Sequence, residues 1–135
     1  MCASASLTAA ASLPVRISPS SPATLAVRAA KKFFEAAGES ERGLCIRIDK
    51  RIPVGAGMAG GSTDAAAVLR GLNRAFGNRF GVERLEELGA EVGSDVAFCV
   101  RGGTMLARGR GELLTPLPPL PDCVFVICKP QVSIS

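Results

Sequence analysis

Apolar positions follow two rhythms along the chain. Between Ala23 and Ala37, residues Leu25, Ala29, Phe33 and Ala36 recur at helical spacing and Gly38 follows, which predicts an amphipathic helix with a C-terminal stop. Leu44, Ile46 and Ile48 then alternate with Cys45, Arg47 and Asp49, the pattern of a strand with one buried face, closed by Pro53. From Ser62 to Ala75 the helical rhythm returns through Ala66, Leu69, Leu72 and Asn73, and Gly77 and Asn78 end it. Val82, Leu85 and Leu88 predict a shorter helix over Val82–Glu91, broken by Gly93 just before Ser94 and Asp95. After Asp95 the pattern turns strand-like. GGTMLARGRGELLTPL predicts a hairpin around Gly109–Gly111, and VFVICKP, after a proline-rich connector, reads as a buried strand. Helices and strands interleave without a regular βαβ repeat, so the predicted class is α+β rather than doubly wound.

Composition narrows what such a fold can do. At 135 residues the chain fits one domain, and 47% hydrophobic with 21% charged residues describes a globular chain, neither disordered nor membrane-embedded. Residues 1–22 are rich in Ala, Ser and Pro, and no acid precedes Glu35. That profile resembles an organellar transit segment, with a poorly ordered end or the start of a truncated product as the alternative. No apolar h-region precedes an A-x-A site, which argues against secretion.

The net charge of +4 favours an anionic partner, yet the 16 basic residues are scattered and the six aromatics are all Phe, so a nucleic-acid platform is poorly supported. A polyanionic small molecule suits the same charge. Five cysteines, odd in number and without a CxxC pair, predict reduced core thiols. Histidine is absent, which removes every His-based triad, general base and common zinc constellation. Proton transfer falls to a carboxylate, a lysine or water.

The densest chemistry lies in Pro53–Asp64, PVGAGMAGGSTD. Four glycines at 55, 57, 60 and 61 are costly in chain entropy unless backbone must approach something closely. Placed before a helix, they leave N–H groups and the positive end of the helix dipole facing one space, which favours phosphate oxygens. The candidate phosphate-binding set is therefore Pro53, Val54, Gly55, Ala56, Gly57, Met58, Ala59, Gly60, Gly61, Ser62 and Thr63. Ser62 and Thr63 could bond phosphate or touch hydrated magnesium; equally, Ser62 could serve as an N-cap and Asp64 as a dipole partner. Two familiar loops fail here. A P-loop needs lysine where Gly61 stands, and the GxGxxG pattern at Gly55, Gly57 and Gly60 lacks the second strand ending in an acid about 20 positions on.

What remains resembles the second motif of the GHMP kinases, through IPVGAGMAGGSTDAAAVLRGLN, GSDVAFCVRGGT, GRGELLTPLPPLPDC and ICKPQVSIS in order from about Ala23 to Ser135. The resemblance implies a ribosomal-protein-S5-like N-terminal domain whose glycine loop wraps the phosphates of ATP carried with magnesium. It also implies a small-molecule alcohol as phosphoryl acceptor, a second domain completing the cleft, and no nucleic-acid or membrane partner. By motif, Asp95 in GSDVAF takes the place of the family's catalytic aspartate; without the resemblance it reads as a turn or cap residue after Gly93. Gly102, Gly103 and Thr104 resemble the substrate-side block, although a tight turn explains the glycines as well. Lys129 and Pro130 match a further block and carry no assigned role.

The chain departs from the family pattern at both ends. Nothing before Ala23 resembles the family's Lys-x-Asn-Leu strand, whose lysine works beside the aspartate, and Lys31 and Lys32 cannot replace it by motif. The third glycine motif is missing too. The sequence thus predicts a non-family or poorly ordered segment over 1–22 and a partial N-terminal kinase domain over 23–135. The alternative to a kinase is a nucleotide-binding module without turnover. Bacterial cytoplasm is the expected compartment, with plastid stroma as the alternative.

Overall fold

A computed structural model of the chain describes residues 5–9, 23–40, 44–50, 52–53 and 55–128. The elements run β1 (Ala5–Ala9), α1 (Ala23–Ala37), β2 (Leu44–Ile48), α2 (Gly60–Ala75), α3 (Val82–Val92), α4 (Ser94–Arg101), β3 (Met105–Arg108) and β4 (Leu113–Pro116). The fold is α+β: a helical body flanked by two separate two-stranded antiparallel sheets, β1–β2 and β3–β4. Ala5–Ala9, inside the segment expected to be poorly ordered, pairs with β2 in the register Ala5↔Ile48 to Ala9↔Leu44. β2 keeps its predicted alternation, with Leu44, Ile46 and Ile48 turned toward the helical core and Cys45 and Arg47 exposed.

The helices form because each carries an apolar stripe that closes on the others. α1 packs along α2, α2 along α4, and α3 along α4. Phe33 and Leu69 are fully buried at the centre, worth about 1.5–3 kcal/mol each in transfer from water. Phe33 meets Phe80 edge to face at 5.4 Å and Phe34 at 6.0 Å, a geometry that suits the ring quadrupoles. α2 ends as expected: Gly77 and Asn78 take positive φ, and the Asn78 N–H donates back to the Asn73 carbonyl at 2.7 Å. Asn73 does more than fill a helical face. Its side-chain amide donates to the Phe80 carbonyl (2.9 Å) and accepts from the Phe80 N–H (2.8 Å), pinning the α2–α3 connector to the core.

Three expectations are corrected. The stretch after Asp95 is helix, not strand, as far as Arg101: Val96, Ala97 and Val100 form a buried stripe, and Gly89 on α3 lets α4 approach so closely that an added Cβ would lie 3.2 Å from the Ala97 nitrogen. Residues 124–128 of VFVICKP form no strand and are not buried, with Val124 92%, Phe125 71% and Val126 94% exposed. A strand needs a neighbour to pair with, and no neighbour covers this run among the described residues. Finally, the described cysteines are free thiols but not core residues: Cys45, Cys123 and Cys128 are exposed and Cys99 is half-buried. The predicted hairpin is present as β3–β4, paired from Met105↔Pro116 to Arg108↔Leu113.

Candidate active site

Two helix N-termini define the site. The first follows the glycine loop, where Gly55 and Gly57 both adopt φ near +68° and Ala59, in the left-handed region at φ 49°, immediately precedes α2. A Cβ added at Gly55 or Gly57 would meet nothing within 4 Å, so glycine is required there by backbone conformation and the loop's face stays open. Helix α2 begins two residues earlier than expected, at Gly60, and no side chain caps it. Ser62 is therefore not an N-cap; it is the third residue of the helix and half-buried. The opening amides of a helix have no intrahelical acceptor, and here, uncapped, they form a small donor cluster at the positive end of the dipole. Val54 lies outside the described residues; Pro53 and the other predicted loop positions bracket this open face.

Thr63 is held in place. Its N–H and its hydroxyl both reach the Ala59 carbonyl, at 2.9 and 3.0 Å, so the hydroxyl is oriented with lone pairs left to accept. Asp64 is not a surface dipole partner. It is fully buried on the same stripe as Val68 and Leu72, and its Oδ2 accepts from the Lys50 Nζ at 2.6 Å, while Oδ1 has no partner among the described residues. Lys50 leaves β2 and passes beside Gly60, where an added Cβ would stand 2.9 Å from Ile52 Cγ2 and 3.1 Å from the Lys50 Nζ. The ion pair thus ties the strand exit to the start of α2, and Gly60 makes the close approach possible. The residues missed by sequence reading, Lys50 and the buried role of Asp64, had one signal: Asp64 falls four residues before Val68 on the apolar face, where an acid requires a partner.

The second N-terminus belongs to α4. Gly93 is extended, ends α3 and opens α4, so that Asp95 lies in the first turn of a helix rather than in a turn between elements. Asp95 is exposed. One turn on, Cys99 places its Sγ 3.7 Å from the Thr63 hydroxyl, which joins the start of α2 to the second half of α4. Burial pushes the Cys99 thiol up from its ordinary value, the Thr63 hydrogen bond opposes this and the Asp95 charge adds to it. The thiol stays protonated at neutral pH and is a packing group, not a nucleophile. The β3–β4 tip reaches the same place: a Cβ at Gly111 would come within 3.7 Å of Asp95 Oδ1 and 3.5 Å of Ser94 Cβ. Gly102 and Gly103, with positive φ, form the turn from α4 into that hairpin. Lys129 and Pro130 lie outside the described residues.

Such a site can hold an anion at the α2 start with a carboxylate at its edge, at Asp95. No group of three or more metal-ligating side chains occurs among the described residues. No described helix is long and apolar enough to cross a membrane.

Known proteins resemble this chain in sequence and in fold. The sequence pattern of the GHMP kinases N terminal domain matches residues 24–103. Similar curated proteins include the 4-diphosphocytidyl-2-C-methyl-D-erythritol kinases of Geobacillus kaustophilus, 50% identical over 120 residues and covering 89% of this chain, and of Listeria welshimeri, 56% identical over 69% of it. A crystal structure of 4-(cytidine 5'-diphospho)-2C-methyl-D-erythritol kinase superposes with a TM-score of 0.69 at 39% identity, covering 84% of this chain and 41% of that one. The chain spans 41% of the length of the Geobacillus relative and 32% of the Listeria one. With the family pattern covering more than half of its residues, the chain belongs to the GHMP kinases, through their N-terminal domain.

Proposed function

We propose that the chain is the nucleotide-binding part of an ATP-dependent kinase that phosphorylates the tertiary 2-hydroxyl of 4-diphosphocytidyl-2-C-methyl-D-erythritol, in the methylerythritol phosphate route to isoprenoid precursors. The observation that carries this reading is the junction of Thr63 with Cys99, one turn from Asp95, which brings an open, uncapped helix start beside a carboxylate. The names of the relatives supply the acceptor. Residues 23–135 act as the ATP-binding domain, and the far wall of the cleft comes from a further domain. Bacterial relatives favour the cytoplasm as its compartment.

Pro53–Thr63 would hold the triphosphate, with backbone amides of the loop and of Gly60, Gly61 and Ser62 donating to its oxygens. Magnesium carried by the nucleotide would offset phosphate charge, and the Ser62 and Thr63 hydroxyls would be the chain's oxygen contacts toward it or its waters; magnesium commonly keeps several waters and needs few protein ligands. Asp95 accepts the proton of the acceptor hydroxyl as its oxygen bonds to the γ-phosphorus and the bond to the β–γ bridging oxygen breaks. ADP and the 2-phosphate result. An ionised aspartate suffices, since phosphoryl transfer depends chiefly on in-line positioning and electrostatic stabilisation.

The test is a turnover assay with magnesium ATP and the diphosphocytidyl alcohol. Product formation should fall about 10²-fold or more in Asp95→Asn with ATP affinity unchanged. Wild-type turnover in that variant would overturn the role of Asp95. The share of the relatives' length covered favours a second reading, in which these residues bind nucleotide without turnover. Saturable ATP binding with no product would support it.

A further inference from the structure

At the far end of α2 lies a cavity of about 580 Å³, bounded by α2, α3, α4 and the α2–α3 connector. Its lining is lopsided in charge. Arg70, Arg74 and Arg101 contribute to it, with Asn73 and Asn78, and no acidic residue does. Arg101 is spoken for by Glu86, which takes both its Nε and its Nη2. Arg70 and Arg74 are exposed and carry no ion pair among the described residues.

Arg74 alone would be explained by the last turn of α2, where a cation complements the dipole. Arg70 is not, because it stands one turn earlier and repels Arg74 at a spacing that destabilises like charges. Gly71, between them, is a second local cost in a helix interior, and it lines the same cavity. The remaining lining is apolar, from Phe80, Val82, Leu85 and Val100. Two unpaired guanidiniums beside an apolar floor match a small phosphate ester bearing an apolar group. Guanidiniums are the side chains suited to gripping such an anion bidentately.

We propose that this cavity is a second anion site, for a small phosphate monoester with an apolar substituent, separate from the glycine loop. Helical rise places Arg70 and Arg74 roughly 15–21 Å along α2 from Gly60, too far to share one ligand phosphate. The site does not depend on the kinase reading.

The experiment is amide-resolved NMR titration of the chain with phenyl phosphate and, in parallel, inorganic phosphate. Saturable shifts at Gly71, Asn78 and Phe80 are expected, with phenyl phosphate at least threefold tighter. They should be lost in R70A/R74A and weakened at least threefold in R70Q, while the circular dichroism melt and any shifts at Gly60–Thr63 stay as in the wild type. Shifts confined to Gly55–Thr63, or undiminished affinity in both variants, would overturn the site. Equal affinity for the two probes would overturn the part given to the apolar floor.

Discussion

The helical body and the stretch that follows it use similar residues to opposite effect. In α1–α4, Phe33, Leu69, Leu88 and Val96 are buried. Beyond Arg101, Leu113, Leu120, Val124, Phe125 and Ile127 lie 60–92% exposed, and the tip of β3–β4 leans on the body at Ser94 and Asp95. Apolar character states what a residue can do when covered; it does not supply the cover. The proposed phosphate-binding face is built on the region that is covered, and its support reaches into the core through Asp64.

Substitutions should reproduce that contrast in order of size. Leu69→Ala leaves a cavity at the centre of the body and should cost about 3–4 kcal/mol in urea unfolding. A cost under about 1 kcal/mol would show that the body is not the cooperative unit. Lys50→Ala strands the buried Asp64 carboxylate. Allowing for the partial exposure of the amine, a loss of about 2–3 kcal/mol is expected, read from the same unfolding curves. Restoration of most of that loss by the second change Asp64→Asn would confirm that the penalty lies in the unpaired charge.

Gly57→Ala should cost about 1 kcal/mol from its left-handed backbone alone, since no atom crowds the added methyl. A larger loss would mean that the loop packs more tightly than its open face implies. At the other extreme, Ile127→Asp should change stability by less than about 0.5 kcal/mol, because Ile127 is 69% exposed. A loss matching that of Leu69→Ala would erase the distinction between the two regions.

The division also explains what the sequence could tell. Helices α1, α2 and α3 were legible because their apolar stripes are closed by one another, and β2 because its alternation matches one covered face. The glycine loop was legible because its residues answer to backbone conformation, a local matter. Helix α4 was not legible although Val96, Ala97 and Val100 carry helical spacing, since at eight residues the signal is short and Gly102 and Gly103 add a turn signal directly after it. VFVICKP misled for a tertiary reason: its continuous apolar run is that of a buried strand, but strand formation depends on a pairing partner elsewhere in space. The Lys50–Asp64 pair joins residues 14 apart across a strand exit and a helix start: the apolar face around Asp64 signals that it needs a partner, but no local pattern reveals that the partner is Lys50.

The claim on which the account turns is that the start of α2 grips nucleotide phosphates. Titration of the folded chain with a fluorescent ATP analogue and magnesium tests it directly, beside Gly57→Val, which places a branched side chain in a left-handed position on the loop's open face. The account predicts saturable binding by the wild type, displaced by unlabelled ATP, and at least tenfold weaker binding by the variant with its helical circular dichroism retained. Absence of saturable binding by the folded wild type, or equal affinity in the variant, would contradict it.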